Sequence, residues 1–376
     1  MGLLASTMTL MLPAYQALAQ PMYSITPLGT LGGTYSHGSG INAGGQVTGY
    51  ATSTGNSTQP AFLYSSGTMT DLGALGGTQS QGQGININGQ VTGYAYTAGN
   101  AAHRAFLYTA GTMTDLGTLG GRASHGYGIN DSGQVTGFSY TAGDVAYRAF
   151  LYSAGVMTDL GTLGGTDSEG YGINDSGQVT GYSYIAGNVA YRAFLYSSGT
   201  MTDLGTLGGA HSVGLGINAS GQVTGYAETA GGAAQHAFLY SSGTMTDLGT
   251  LGGTHSIGLG INASGQVIGS SNTAGNVTHA FLYSGGTMYD LNSLIALTDP
   301  LYSVVTLIEG RGINDSGQII ANSDSQAYLL TPINDLPTPT NNVTEPTSLA
   351  LLSTAITGLL YLRRRARRAP EVVSVH

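Results

Sequence analysis

From residue 23 to residue 331 short apolar runs alternate with glycine-rich polar turns, and no stretch holds a 3.6-residue period for long. One unit, from His125, reads HGYGIN-DSGQ-VTGFSY-TAGDVAY-RAFLYS-AGVM-TDLGTLGG. It predicts four β-strands. The first is Gly126 to Asn130, and Asp131-Ser132-Gly133 turns it into the second, Gln134 to Tyr140. Thr141-Ala142-Gly143-Asp144 forms the next loop. The third strand is Arg148 to Ser153, and Ala154-Gly155 leads to the fourth, Met157 to Leu163. The one departure is Leu294 to Leu297, inside an eight-residue insertion, where a single helical turn is expected.

The unit repeats. Gly-Ile-Asn recurs with Ile at 41, 85, 129, 173, 217, 261 and 313, spaced by 44 five times and then by 52. Ala-Phe-Leu-Tyr places Phe at 62, 106, 150, 194, 238 and 281, and Asp-Leu-Gly places Asp at 71, 115, 159, 203 and 247. Four antiparallel strands in about 44 residues match the blade of a propeller, whereas a β-helix coil is much shorter. One such sheet cannot bury both faces, so neighbours must stack on it. The expected fold is all-β, a seven-bladed β-propeller of 44-residue four-stranded repeats. The seventh repeat has strands at Arg311 to Asn314, Gln318 to Asn322 and Gln326 to Leu330, but no fourth. Tyr23 to Gly29 is an orphan fourth strand at the other end. Pairing the two would close the ring and remove its open edges.

Composition narrows the function. Of 376 residues 62 are glycine and 8% are charged, against about 25% in an ordinary domain. There is no cysteine, which excludes disulfides, thiolate metal sites and a cysteine nucleophile. Between residues 20 and 340 five arginines stand against 17 acidic residues, a charge of −12. A body of that sign repels phosphates, so no nucleic-acid partner is expected. The other five arginines lie between 363 and 368.

The ends read as addresses. Residues 1–19 are apolar and finish in Ala17-Leu18-Ala19, a small-x-small cleavage pattern typical of a signal peptide, although no basic residue precedes the apolar run. The repeat body spans 20–331, a Pro/Thr/Asn linker 332–345, and a sorting or membrane-anchor segment 346–376. That last segment holds a 14-residue apolar run, Leu349 to Leu362, shorter than the about 20 residues of a membrane span, followed directly by the arginines.

Two resemblances follow from these residues. His236-Ala237-Phe238 and His279-Ala280-Phe281, with the DLGTLGG and GIN-x-x-GQV segments, resemble the HAF extracellular repeat family over roughly residues 23–331. Glu345-Pro346-Thr347-Ser348, the apolar run and RRRARR resemble the PEP-CTERM tail handled by exosortases, with Thr344 replacing the family's first proline. The resemblances imply export, a cell-surface location, an exosortase-like processing partner, a transient membrane anchor, and association with exopolysaccharide or other surface proteins. They imply no established chemistry.

An active site is one place, so residues that break the repeat are its candidates. The repeated Asp71, Asp115, Asp159, Asp203 and Asp247 read as scaffold, bonded to backbone N–H groups or to the Arg or His before Ala-Phe. The Asp-Ser-Gly turns lack the spacing of a calcium loop. Variation concentrates in a T-x-S-x-G loop before the first strand. Tyr35, His37, His125, Asp167, Glu169, His211 and His255 there form the candidate ligand-binding face, together with the loops between second and third strands. No spacing gathers three of them into a metal site, and no catalytic residue, metal or cofactor is expected. Tyrosines such as Tyr64, Tyr108 and Tyr152 repeat and read as scaffold. The expected role is a non-catalytic binding or structural module. The rival is a carbohydrate-active hydrolase or lyase using the same face, with Asp167 and Glu169 as its carboxylates.

Overall fold

Glycine sets where the chain turns. Gly133 in the Asp-Ser-Gly turn sits at φ 76°, a left-handed conformation open to glycine at little cost. Gly137 is required for a different reason, since a Cβ there would overlap the backbone carbonyl oxygen of His125 on the neighbouring strand. The structure, a computed structural model, describes residues 22–333. The 1–19 leader, nearly all of the 332–345 linker and the 346–376 tail lie outside the described residues.

A short strand β1 (Tyr23–Pro27) is followed by the first repeat: β2 (Gly32–Ile41), β3 (Val47–Ser53), β4 (Ala61–Ser65) and β5 (Thr68–Asp71). These form one antiparallel sheet in chain order, with β2 innermost. The same plan recurs from Gly76, Gly120, Gly164, Gly208 and Gly252, the last two sheets being joined by one parallel contact between Gln235 and His255. The final sheet holds Glu309–Ile313, Ile319–Asn322 and Ala327–Pro332, and its fourth strand is β1. Tyr23 lies opposite Pro332 and Pro27 opposite Tyr328 in an antiparallel register.

Three boundaries differ from the sequence expectation. The innermost strand of the third repeat begins at Gly120, not Gly126, so the T-x-S-x-G segment is strand rather than loop. The cause is a set of backbone partners brought from the loop after the second strand. Asn56, Asn100, Asp144 and Asn188 adopt left-handed φ there. Their side-chain oxygens accept the N–H groups of Thr34, Thr78, Arg122 and Thr166 at 2.8–3.0 Å. The fourth strand is correspondingly short, Val156–Asp159. The helical turn falls at Leu291–Leu294 rather than Leu294–Leu297, because Asp290 caps it by accepting the N–H of Asn292 and because Leu291 and Leu294 are the buried pair.

The sheet interfaces are filled by recurring residues, except the one between the sixth and last sheets, where Ile268, Leu294, Ile295, Leu307 and Tyr328 pack instead. The phenylalanines of Ala-Phe-Leu-Tyr are fully buried. Phe150 packs with Ala105, Leu116, Ile129 and Val135, joining the second and third repeats. An equivalent cluster of Leu28, Val47, Phe62, Ile320 and Ala327 joins the last sheet to the first. A buried serine clasps the interfaces, as where Ser124 Oγ accepts Ala105 N at 3.0 Å and Ser36 Oγ accepts Ala327 N at 3.1 Å, except between the sixth and last sheets, where Ala280 N donates to the Leu307 carbonyl at 2.9 Å. The insertion before the last sheet covers the exposed edge of β1. Ala296 N donates to the Tyr23 carbonyl at 2.9 Å, and Ile25 N to Asp299 Oδ2 at 3.0 Å.

The asparagines of Gly-Ile-Asn form a belt. Asn42 Nδ2 donates to the carbonyl of Asn86 at 2.9 Å, Asn86 to Asn130 at 3.0 Å, Asn130 to Asn174 at 3.1 Å and Asn174 to Asn218 at 3.1 Å. Asn218 donates to Asn262 at 3.0 Å, Asn262 to Asn314 at 3.4 Å, and Asn314 returns to Asn42 at 3.1 Å. Next to the belt the isoleucines of the same motif line a central channel, dividing it into spaces of about 270 and 230 Å³.

Candidate functional site

The repeat is least regular at the end of the sheets away from the asparagine belt, and aromatic residues gather there. Period-2 alternation places Tyr182 and Tyr184 on one face of the second strand of their repeat. At the position of Tyr182 the other repeats carry Tyr50, Tyr94, Phe138 and Tyr226, then Ser270 and Asn322. The aromatic side chains therefore occupy only some of the repeats.

They form a continuous path. Tyr94 stacks on His125 with ring centroids 4.0 Å apart, and His125 lies 4.7 Å from Phe138. Tyr127 meets Tyr171 at 4.9 Å, Tyr182 meets Tyr191 at 5.5 Å, and Tyr191 stacks on His211 at 4.2 Å. Where the fourth repeat meets the fifth, this path opens into a cleft of about 370 Å³ walled by Tyr171, Tyr182, Tyr184, Tyr191 and Tyr226, with Val213 and Leu215 as apolar floor. Burial raises the pKa of Tyr171, Tyr182 and Tyr226, so their hydroxyls keep their protons and act as donors.

Glu169 sits behind that wall. Its Oε2 accepts the hydroxyl of Tyr171 at 2.8 Å and its Oε1 that of Tyr182 at 3.1 Å. Tyr147 Oη lies 3.1 Å from Tyr182 Oη and extends the chain. Burial pushes the Glu169 carboxyl up, the two tyrosine hydroxyls pull it back, and the Asp167 charge pushes it up again, for a net rise. Asp167 itself is engaged elsewhere, taking Tyr147 N at 3.0 Å and the Thr166 hydroxyl at 2.7 Å.

The remaining candidates divide. Tyr35 and His37 meet at Tyr50, with centroids 6.0 and 5.0 Å from its ring. His37 Nε2 lies 3.2 Å from Glu309 Oε2, and Arg311 Nε lies 3.0 Å from the same oxygen. Burial alone would raise the Glu309 carboxyl, but His37 and Arg311 overcome it and hold it down at about 2. His125 Nε2 faces His103 Nδ1 at 2.6 Å; burial and then the His103 charge lower its pKa to about 3, keeping it neutral. His211 Nδ1 accepts Tyr191 N at 3.2 Å. His255 contacts Thr254 Oγ1 at 2.7 Å and stands apart from the aromatic path. The structure thus brings three of the seven candidates, His125, Glu169 and His211, to one aromatic path, while Tyr35 and His37 gather at Tyr50. Among the described residues no group of three His, Asp or Glu is placed to hold a metal ion.

Of the cleft tyrosines only Tyr191 falls in a loop that the sequence placed on the candidate face; Tyr171, Tyr182, Tyr184 and Tyr226 were not among the candidates. Their signal was present in the Y-S-Y spacing of Tyr182 and Tyr184, but strand-forming tyrosines elsewhere are scaffold: Tyr108 and Tyr152 pack on interface clusters. The scaffold aspartates make both expected contacts. Asp115 Oδ1 accepts Gly117 N at 2.8 Å, and Asp247 Oδ2 lies 2.8 Å from His236 Nδ1.

No protein-family model matches the sequence, and no curated protein matches it. Solved structures do resemble the fold. The β-propeller domain of the Trilobed protease from Pyrococcus furiosus is similar with a TM-score of 0.52 at 6% identity, over 82% of this chain and 98% of that one. Pyrococcus horikoshii acylaminoacyl peptidase is similar with a TM-score of 0.50 at 9% identity, over 82% of this chain and 54% of the peptidase. At these identities the likeness establishes a β-propeller fold and carries no activity with it.

Proposed function

We propose that this chain is a seven-bladed β-propeller closed by β1, and that it works as a non-catalytic binding module exported to the cell surface. The observation that carries the binding role is the confinement of the tyrosine mouth to part of an otherwise repeated ring. Tyrosines offer flat apolar faces and hydroxyl donors together, at little conformational cost. That combination suits a saccharide, whose rings present apolar faces edged by hydroxyls, and fits an exopolysaccharide as the partner. The cyclic asparagine belt and the β1 pairing support closure at seven.

The tail at 346–376 is the proposed sorting and anchoring segment, and the 1–19 leader the proposed export signal. Deleting residues 345–376 should release the protein into the medium; a protein that stays cell-bound would contradict the anchor. The rival reading, a carbohydrate-active hydrolase or lyase, is disfavoured because Asp167 is held by Tyr147 N and Thr166, not presented opposite Glu169. A glycan array probed with the full chain, run beside a hydrolase and lyase screen, separates the two. Saturable binding without turnover is expected; turnover that disappears in Glu169→Gln would replace the binding module with an enzyme.

A further inference from the structure

Two repeats place a glutamate at the same point of the innermost strand. Glu309 faces Asn322 and is followed by Gly310; Glu169 faces Tyr182 and is followed by Gly170. Both are mostly buried. Glu309 has its counter-charges, Arg311 at 3.0 Å and His37 at 3.2 Å. Glu169 has only tyrosine hydroxyls, and among the described residues no arginine or histidine lies within ion-pair distance of it. Buried carboxylates are normally paired, because desolvating an isolated charge is costly. The Glu309 carboxylate is thus matched by cations and the Glu169 carboxylate by tyrosine hydroxyls.

The cleft lies on the other side of Tyr171 and Tyr182 from Glu169, and its lining suits a cation. The rings of Tyr182 and Tyr191 meet at 60° and those of Tyr184 and Tyr191 at 72°, so their faces are turned in different directions around the cleft. Tyr171 and Tyr182, the two rings whose hydroxyls bind the carboxylate, are walls of the same cleft. Cations held over aromatic faces gain from the ring quadrupole, and cages of several rings select ammonium groups. The surrounding charge has the same sign as Glu169. Asp167 lies two residues away, and Glu228 is spent on the N–H groups of Ala210 and His211 at 3.1 and 3.2 Å. Arg192, on the third strand of the same repeat as Glu169, lies 4.0 Å from its own partner, Asp203.

We propose that this cleft is a site for an organic ammonium group, a methylated or primary amine, held among its tyrosine rings, with the Glu169 charge behind Tyr171 and Tyr182 favouring the cation. The proposal rests on the reading of the protein as a binding module and names the chemistry that one pocket of it selects. A positively charged sugar or amine-bearing chain would engage it, and a neutral one of the same shape would not.

The test uses the purified full chain and two probes of matched shape: choline, and 3,3-dimethylbutan-1-ol, in which carbon replaces the charged nitrogen. Binding is followed by calorimetry and by shifts of tyrosine resonances. Choline is expected to bind saturably and the alcohol about tenfold more weakly or not at all, the discrimination expected of a desolvated aromatic cage. Glu169→Gln keeps the shape and one acceptor oxygen, turns the other position into a donor and removes the charge, and should lower choline affinity about tenfold. Tyr191→Leu, at a partly exposed position, should do the same without touching Glu169. Equal binding of the two probes, wild-type affinity in both variants, or no choline binding overturns the ammonium site. If neutral glycans still bind in any of those cases, the binding-module reading survives and only this inference fails.

Discussion

Replacing Asn130 with alanine tests whether the asparagine belt holds adjacent repeats together. The side chain is 3% exposed and makes three hydrogen bonds. Its Nδ2 donates to Gln134 Oε1 at 2.8 Å and to the Asn174 carbonyl at 3.1 Å, and its Oδ1 accepts Gln134 N at 2.9 Å. At about 1 kcal/mol net per bond the direct loss is about 3 kcal/mol. Gln134 can turn its side chain toward water, and the Asn174 carbonyl keeps the N–H of Gly177 at 2.9 Å, so no penalty for an unpaired group is added. Asn130→Ala should therefore destabilise by about 3 kcal/mol, a large share of the roughly 5–15 kcal/mol of a whole domain. Ser153→Ala is the control. Its hydroxyl touches the same glutamine at 3.3 Å but joins no repeat to another, so its cost should stay below about 1 kcal/mol. The assay is urea unfolding followed by circular dichroism, comparing midpoints at a common slope. A loss in Asn130→Ala no greater than in Ser153→Ala would refute the belt as a structural element.

Two further outcomes follow from the same geometry. His125 is held neutral with its pKa lowered to about 3, below the about 6.5 of an exposed histidine, so folding favours the deprotonated form. The resulting stability is fully present above pH 6.5 and is lost as pH falls from there toward 3, at about 1.4 kcal/mol per pH unit for one histidine; His125→Gln should flatten that limb, and an unchanged slope between pH 6 and 4.5 would contradict the burial argument. Asp299→Ala removes the acceptor of Ile25 N and should loosen β1, which amide exchange would report as faster opening of Tyr23 to Pro27 with the third repeat unaffected.

The repeat, its four strands and the pairing partner of β1 were legible because their determinants are local: a 44-residue period, turn glycines, and a last unit one strand short. What stayed hidden depends on partners far away in the chain. The strand start at Gly120 rests on the left-handed Asp144, 22 residues beyond Arg122, whose N–H it accepts. Asn130 reads as a turn residue, which it is, but its bond to Asn174 belongs to the stacking of repeats. Tyr182 and Tyr152 look alike as strand tyrosines, yet one faces the mouth and the other packs on the interface cluster of its repeat. Glu169 stood out as a break in the pattern, but the absence of a cation beside it, against the presence of Arg311 beside Glu309, emerges only when the strands are side by side.

The measurement that reaches the central claim most directly is a binding isotherm of the full chain with the strongest glycan of an array, repeated with Tyr182→Ala and Tyr191→Ala. The account predicts saturable binding by the wild type, loss of at least about tenfold in each variant, unchanged thermal unfolding for Tyr191→Ala, and no product at any time. Full affinity in both variants, or release of product by the wild type, would contradict it.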